Sequence, residues 1–185
     1  KSGEPTAATF GFVNVLISLL EKESPDYLAV AFDTGHTFRD DIYPDYKATR
    51  EKMPAELGPQ VERVREIVDT FHFPRLEMNG YEADDVLGSI ARQAQEQGFF
   101  VKIVTGDRDL LQLVNDHIIV FLAGGKMSES RDYYADDVKE KMGVPPHQVV
   151  DLKALIGDSS DNIPGVKGIG PKTAIRLLER YPSLD

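Results

Sequence analysis

Residues 81–114 read YEADDVLGSIARQAQEQGFFVKIVTGDRDLLQLV, and this stretch decides the fold. Its first half places Ala83, Val86, Leu87, Ile90 and Ala94 at spacings of three and four, the apolar stripe of an amphipathic helix. Gly98 follows where helices commonly end, because a residue without Cβ enters the left-handed region at little cost. Phe99–Thr105 is then a continuous apolar strand, FFVKIVT, too uniformly hydrophobic for a sheet with one wet face. A helix feeding a buried strand predicts an α/β fold, a parallel-type sheet covered by helices on both faces.

The alternation continues outward on both sides. Upstream, residues 7–23 carry Phe10, Val13, Leu16, Ile17 and Leu20 on one helical stripe, and Tyr27–Phe32 (YLAVAF) is a strand that stops at Asp33. Residues 34–56 mix aromatics, charges and prolines without periodicity and read as a mobile segment. Leu57, Val61, Val64, Val68 and Phe71 mark a further helix, and a short strand near Arg75–Met78 leads into Asn79-Gly80. Downstream, Ile118–Leu122 is a strand and Gly124-Gly125 a turn. From Ala135 onward the pattern is helical, broken by Pro145-Pro146 and by the loop Gly157–Pro164. The expected division is an α/β core over residues 1–134 and a helical region over 135–185.

Composition narrows the function classes. With 41% apolar and 28% charged residues the chain has the make-up of an ordinary globular domain, and no segment approaches the ~20 apolar residues of a membrane span. The absence of cysteine removes disulfides and thiolate metal sites and fits a reducing, cytoplasmic setting. A net charge of −10 argues at first against a polyanionic partner, but eight of the acids fall in compact clusters, and without them the formal charge would be −2. A carboxylate nest filled by divalent cations is compatible with nucleic acid.

Those eight are Asp33 at the end of the first strand, Glu82, Asp84 and Asp85 at the start of a helix, Asp107 and Asp109 just after Phe99–Thr105, and Asp158 and Asp161 in the Gly157–Pro164 loop. Ligands of open parallel sheets bind beyond the carboxyl ends of the strands, so several segments deliver acids to one edge. Taken singly, each has a simpler reading. Asp33 could cap a helix, the trio could complement a helix dipole, the DRD pair could be a loop with an internal ion pair, and the last two could be turn formers. As a set they are hard oxygen donors without a thiolate or an obvious histidine, which suits Mg²⁺ or Mn²⁺. Two such ions ~3.5–4 Å apart would relieve the mutual repulsion and clamp a phosphodiester for attack by water. The same acids would serve a phosphatase equally well.

The substrate class comes from Gly165-Val166-Lys167-Gly168-Ile169-Gly170-Pro171-Lys172-Thr173-Ala174. The spacing of Gly165, Gly168 and Gly170 permits a tight turn, and Pro171 suits the first turn of a helix whose free N–H groups can hold a phosphate. With Lys167, Lys172, Thr173, Arg176 and Arg180 the pattern is that of a helix-hairpin-helix, a module that grips a DNA backbone without reading sequence, and its plainer alternative is a helix-turn-helix corner with solvated lysines. In residues 34–56, Arg39, Lys47, Arg50 and Lys52 lie among Phe38, Tyr43 and Tyr46, a pattern able to hold a single strand by phosphate contact and base stacking. Acids in the same stretch leave the plain reading of a neutral charged loop open.

FDTGHTFRDDIYPDYKATR, GYEADDVLG, VTGDRDLLQLV and GDSSDNIPGVKGIGPKTA, in this order and spanning almost the whole chain, resemble the structure-specific 5′-nuclease family. The resemblance implies a flap endonuclease and 5′→3′ exonuclease with two Mg²⁺ or Mn²⁺ ions, acting as a monomer on DNA with a 5′ flap, nick or 5′ end. It implies that the eight acids are the metal-site residues. It further implies that Arg39 and Lys47 position the scissile phosphate and stabilise developing charge, and that Tyr46 and Arg50 belong to an arch over the 5′ strand. The hairpin residues would hold the duplex. A bacterial, nucleoid-associated protein serving primer removal and repair follows, and the resemblance leaves open whether a polymerase domain is linked to it. One departure stands out. Family members carry a strand with an Asp-Gly metal ligand ahead of a segment like Ser2-Gly3-Glu4-Pro5-Thr6, where this sequence starts, and the last helices also stop early. The sequence is then either part of a larger protein or, if complete, expected to give a sheet lacking its first strand, impaired catalysis and an exposed groove. A catalytically silent DNA-binding module is therefore the second reading, and a metal-dependent phosphatase the third.

Overall fold

The computed structural model describes residue 3 and residues 5–123 and 130–184. Ser2, Glu4 and the expected Gly124-Gly125 turn lie outside them. The chain forms two compact units, one of Lys1–His36 with Glu51–Ala83, the other of Thr37–Arg50 with Asp84–Asp185.

In the first unit, helix α1 (Ala7–Glu23) is followed by strand β1 (Val30–Ala31). Of the α1 stripe only Leu16 is buried, while Phe10 and Ile17 are exposed. The YLAVAF run yields only this short strand; Val30 in it and Phe32 just after it donate to the carbonyls of Pro74 and Leu76, both at 3.0 Å. In the second unit, α2 (Phe38–Ile42) opens with a capping box: Asp40 Oδ2 accepts the Thr37 N–H at 2.7 Å and its hydroxyl at 3.0 Å. Regular structure therefore begins inside a stretch that showed no periodicity. The segment is too short for a period to register, and Thr37 with Asp40 was the available signal.

Helix α3 (Leu57–Thr70) and strand β2 (Arg75–Leu76) complete the first unit, with β2 parallel to β1. Val64 and Val68 of α3 are buried as its stripe predicts, and the Gln60 side chain accepts the Ala8 N–H at 2.8 Å. The second unit continues with α4 (Ala83–Glu96), β3 (Val101–Thr105), a 3₁₀ helix over Arg108–Leu113 and β4 (Ile118–Leu122). Strand β4 runs parallel to β3 from Val101↔Ile118 to Thr105↔Leu122. Strand β5 (Arg131–Tyr133) lies antiparallel on its other side. The described strands thus form separate small sheets rather than one continuous parallel sheet, and the three-stranded one is mixed. The sequence did not predict β5, because three residues, Arg131-Asp132-Tyr133, carry no readable alternation.

Helix α5 (Ala135–Met142), a short 3₁₀ turn and α6 (Val149–Ile156) pack around this sheet. They share a core of Ile103, Leu111, Ile118, Val120, Val138, Val149 and Leu178, among others. Strands β6 (Gly157–Asp158) and β7 (Ile163–Pro164) pair antiparallel, so the loop read as irregular is closed by a small hairpin. Helix α7 (Pro171–Arg180) buries Ala174 and Leu178. No described helix is long and apolar enough to cross a membrane.

Candidate functional site

In the first unit, the exposed carboxylate of Asp33 accepts the Ala83 N–H at 2.7 Å, and its carbonyl accepts from Arg65 Nη2 at 3.2 Å. Glu82 is half-buried in the residue before α4.

The second unit holds the other six acids. Asp84 and Asp85 lie half-buried in the first turn of α4. Asp85 receives both arms of the Arg39 guanidinium, at 2.6 and 2.7 Å, and that guanidinium also lies 4.6 Å from the centroid of the Phe38 ring. Such a planar, bidentate pair holds geometry as well as charge. After β3, Asp107 Oδ1 accepts the Asp109 N–H at 2.8 Å, capping the 3₁₀ helix and turning Asp109 inward. There Asp109 meets Lys153 of α6, with Nζ 2.7 Å from Oδ1. The same ammonium lies 2.6 Å from Asp158 Oδ2. Asp158 Oδ1 accepts both the N–H and the hydroxyl of Ser160, at 2.9 and 2.6 Å.

These contacts divide the electrostatics unequally. Burial pushes the Asp109 carboxyl above its usual range, and the charges of Asp107 and Asp158 push the same way, so the Lys153 bond does not restore it. Burial is also the largest influence on Asp158, but there the bonds from Lys153 and Ser160 prevail and bring it down to about 2. Burial alone would lower the Lys153 ammonium. Its bonds to both carboxylates, with their charges, raise it instead.

Asp161 anchors the segment that carries the aromatic and basic candidates. Arg50 pairs with its carboxylate, the Tyr46 hydroxyl donates to it at 3.2 Å, and its carbonyl accepts the Lys47 N–H at 3.0 Å. Arg50 Nε also reaches the Ser160 carbonyl at 3.1 Å, the Tyr43 hydroxyl reaches that of Asn162 at 3.0 Å, and Asn162 Nδ2 donates to the Asp45 carbonyl at 2.8 Å. Tyr46 is buried by this docking, and Lys47 Nζ lies 4.9 Å from its ring centroid. Lys153 escaped the sequence reading, as did the docking roles of Tyr43, Ser160 and Asn162. Lys153 left one trace, a cation five residues ahead of Asp158 on the helix that leads into the acidic loop.

Among the described residues no group of three or more His, Cys, Asp or Glu side chains is disposed to hold a metal ion. The donor chemistry nevertheless fits a hard divalent ion, because Asp109 and Asp158, from elements about fifty residues apart in sequence, already share one cation, the Lys153 ammonium. On the hairpin, Gly165 and Gly157 touch backbone to backbone: a Cβ on Gly165 would stand 2.3 Å from the Ile156 carbonyl carbon. Gly168 takes a left-handed φ of +85°. Lys167, Lys172 and Arg176 are exposed, and Thr173 donates its N–H to the Gly170 carbonyl at 3.0 Å.

Residues 1–143 match the model of the 5′-3′ exonuclease N-terminal resolvase-like domain, and residues 144–185 that of the 5′-3′ exonuclease C-terminal SAM fold. The chain belongs to the 5′-3′ exonuclease family. It is 52% identical to DNA polymerase I of Chloroflexus aurantiacus over 99% of its own length and 20% of that protein. It is 43% identical to a 5′-3′ exonuclease of Aquifex aeolicus, over 99% of this chain and 62% of that one. It thus spans about a fifth of the polymerase relatives it matches. Among solved structures, the bacteriophage T5 flap endonuclease in complex with DNA and metal ions aligns with a TM-score of 0.79 and 26% identity, covering 99% of this chain and 70% of that one. The catalytic core of Rad2 with DNA substrate shares the fold, with a TM-score of 0.58 at 20% identity.

Proposed function

We propose that this chain is the nuclease portion of a divalent-metal-dependent 5′→3′ exonuclease and flap endonuclease, hydrolysing DNA phosphodiesters near a free 5′ end or branch in primer removal and repair. The meeting of Asp109 and Asp158 on one ammonium carries this reading, since it brings two separate acidic motifs to a shared cation position. Asp84, Asp85, Asp107, Asp109, Asp158 and Asp161 are the ligands proposed for Mg²⁺ or Mn²⁺, with two ions as the expected number. Asp33 and Glu82 join them on the strength of the sequence resemblance. Ions held there would supply Lewis-acid stabilisation of the charge that builds on the phosphodiester during attack by water.

The remaining roles belong to the chain's own cations. Arg39 and Lys47 are proposed to position the scissile phosphate and to offset its charge, and Tyr46 and Arg50 to line the path of the 5′ strand. Gly165, Gly168 and Gly170 shape the hairpin that lets Lys167, Lys172, Thr173 and Arg176 approach the duplex backbone. The T5 flap endonuclease, solved with DNA and metal ions together, supports both halves of this assignment.

Incubating the chain with a labelled 5′-flap duplex and Mg²⁺, beside Asp107→Asn and Asp109→Asn, tests it. Cleavage that requires Mg²⁺ and drops at least ~100-fold in both variants is expected. Mg²⁺-dependent cleavage untouched by either substitution would remove the proposed site. Tight flap binding by an uncleaving wild type would instead favour a DNA-binding module.

A further inference from the structure

Lys153 stands where a metal-free carboxylate site would need a positive charge. Its Nζ lies within 2.7 Å of one oxygen of Asp109 and one of Asp158, short contacts of the charge-assisted kind. It sits in the last turn of α6, where the helix dipole favours a cation, and its ammonium is a point charge on a flexible stem rather than a locking fork. One ammonium leaves the pair of carboxylates with an uncompensated negative charge, which a divalent ion would cancel. Mg²⁺ takes oxygen ligands at ~2.0–2.1 Å in near-octahedral array, and N–H donors in the same place deny it those lone pairs. Among the described residues no three acidic or imidazole side chains are disposed to hold an ion.

We propose that Lys153 is the resident counter-ion of this site: its ammonium shares the two carboxylates that a divalent ion needs, so the two cations exclude each other and Lys153 sets the ion affinity. This rests on the metal-binding reading of Asp109 and Asp158. Lys153 is a positioning residue that holds these acids together before the ion arrives and yields when it binds. Binding of ion and ammonium are linked, so what stabilises the metal-free protein weakens its hold on metal. A purely structural lysine, which only aligns the acids, would do the reverse.

The test is Mn²⁺ binding to the whole chain without DNA, followed by the electron paramagnetic resonance of the free ion, for wild type and Lys153→Met. The variant is expected to bind Mn²⁺ about tenfold more tightly, with a lower metal-free Tm and a larger rise in Tm on saturation. Affinity that is equal or weaker in the variant, while the wild type binds, overturns the role of Lys153 and leaves the metal site standing. A wild type that binds no Mn²⁺ overturns both. Should Lys153→Met not fold, wild-type protein carrying ¹³C-dimethylated lysines answers the same question. The Lys153 resonance, assigned with Lys153→Arg, is expected to shift in step with Mg²⁺ occupancy, and a resonance unmoved at saturation overturns the proposal.

Discussion

At the scale of single residues, Asp109 and Asp158 share the Lys153 ammonium, and their surroundings set their behaviour with pH. Asp158 is the clearest case. Its carboxyl is brought to about 2, against 3.8 in the unfolded chain. A group whose pKa falls on folding stabilises the fold above its unfolded value, and that contribution disappears as pH drops through the folded one. Asp158→Asn is therefore expected to cost the metal-free protein about 1–2 kcal/mol at pH 7, after allowance for partial solvent screening. The gap to wild type should close between pH 4 and pH 2, and urea unfolding at several pH values would show it. A gap that is constant with pH would mean that packing, rather than charge, gives Asp158 its value. Asp109 shifts the opposite way, so its ionised form opposes folding near neutrality, and the Lys153 bond only partly offsets this.

At the scale of elements, the hairpin after α6 shows what the glycine pattern is for. Gly157 adopts a φ of +78°, and a Cβ on Gly165 would meet Gly157 N at 2.5 Å as well as the Ile156 carbonyl. Gly165→Ala is expected to destabilise the protein by about 2–4 kcal/mol with an unchanged denaturant slope, because backbone cannot move aside as a side-chain tip can. Chemical denaturation measures this directly, and a loss below about 0.5 kcal/mol would show that the β6–β7 pinch is not tight. Gly165 thus has a structural duty alongside any role at the DNA backbone.

The same elements show how much was legible in the sequence. Helix α4 and strands β3 and β4 were readable because each carries an apolar pattern long enough to count, and α7 because Pro171 opens it. Gly98 and Pro171 marked their ends. Strand β5 and helix α2 were not, since elements of three and five residues carry no period. The acid set could be named from sequence, but its pairing could not. Arg50 with Asp161 and Tyr43 with Asn162 lie more than a hundred residues apart, and only the folded backbone brings them together. Lys153 was overlooked for a related reason: one lysine on a helix looks like a solvated charge until its neighbours are known.

At the scale of the molecule, this acidic chain places the exposed cations Lys167, Lys172 and Arg176 where the glycine hairpin opens α7. If Lys167, Lys172 and Arg176 neutralise phosphates, binding to duplex DNA should weaken steeply with salt. Replacing each with Gln should flatten the dependence of log K on log salt by about 0.9 for every phosphate that is no longer neutralised. Fluorescence anisotropy at several salt concentrations measures the slope, and a slope unchanged in the triple variant would move the DNA-binding face elsewhere. The proposed metal-dependent 5′ polarity is most directly tested by the flap assay, run with the label at the flap's 5′ end and, separately, at the 3′ end of the same strand. The expected result is Mg²⁺-dependent release of short 5′-labelled products, lost in Asp109→Asn. Stepwise shortening of that strand from its 3′ end, or cleavage that persists in Asp109→Asn, would contradict it.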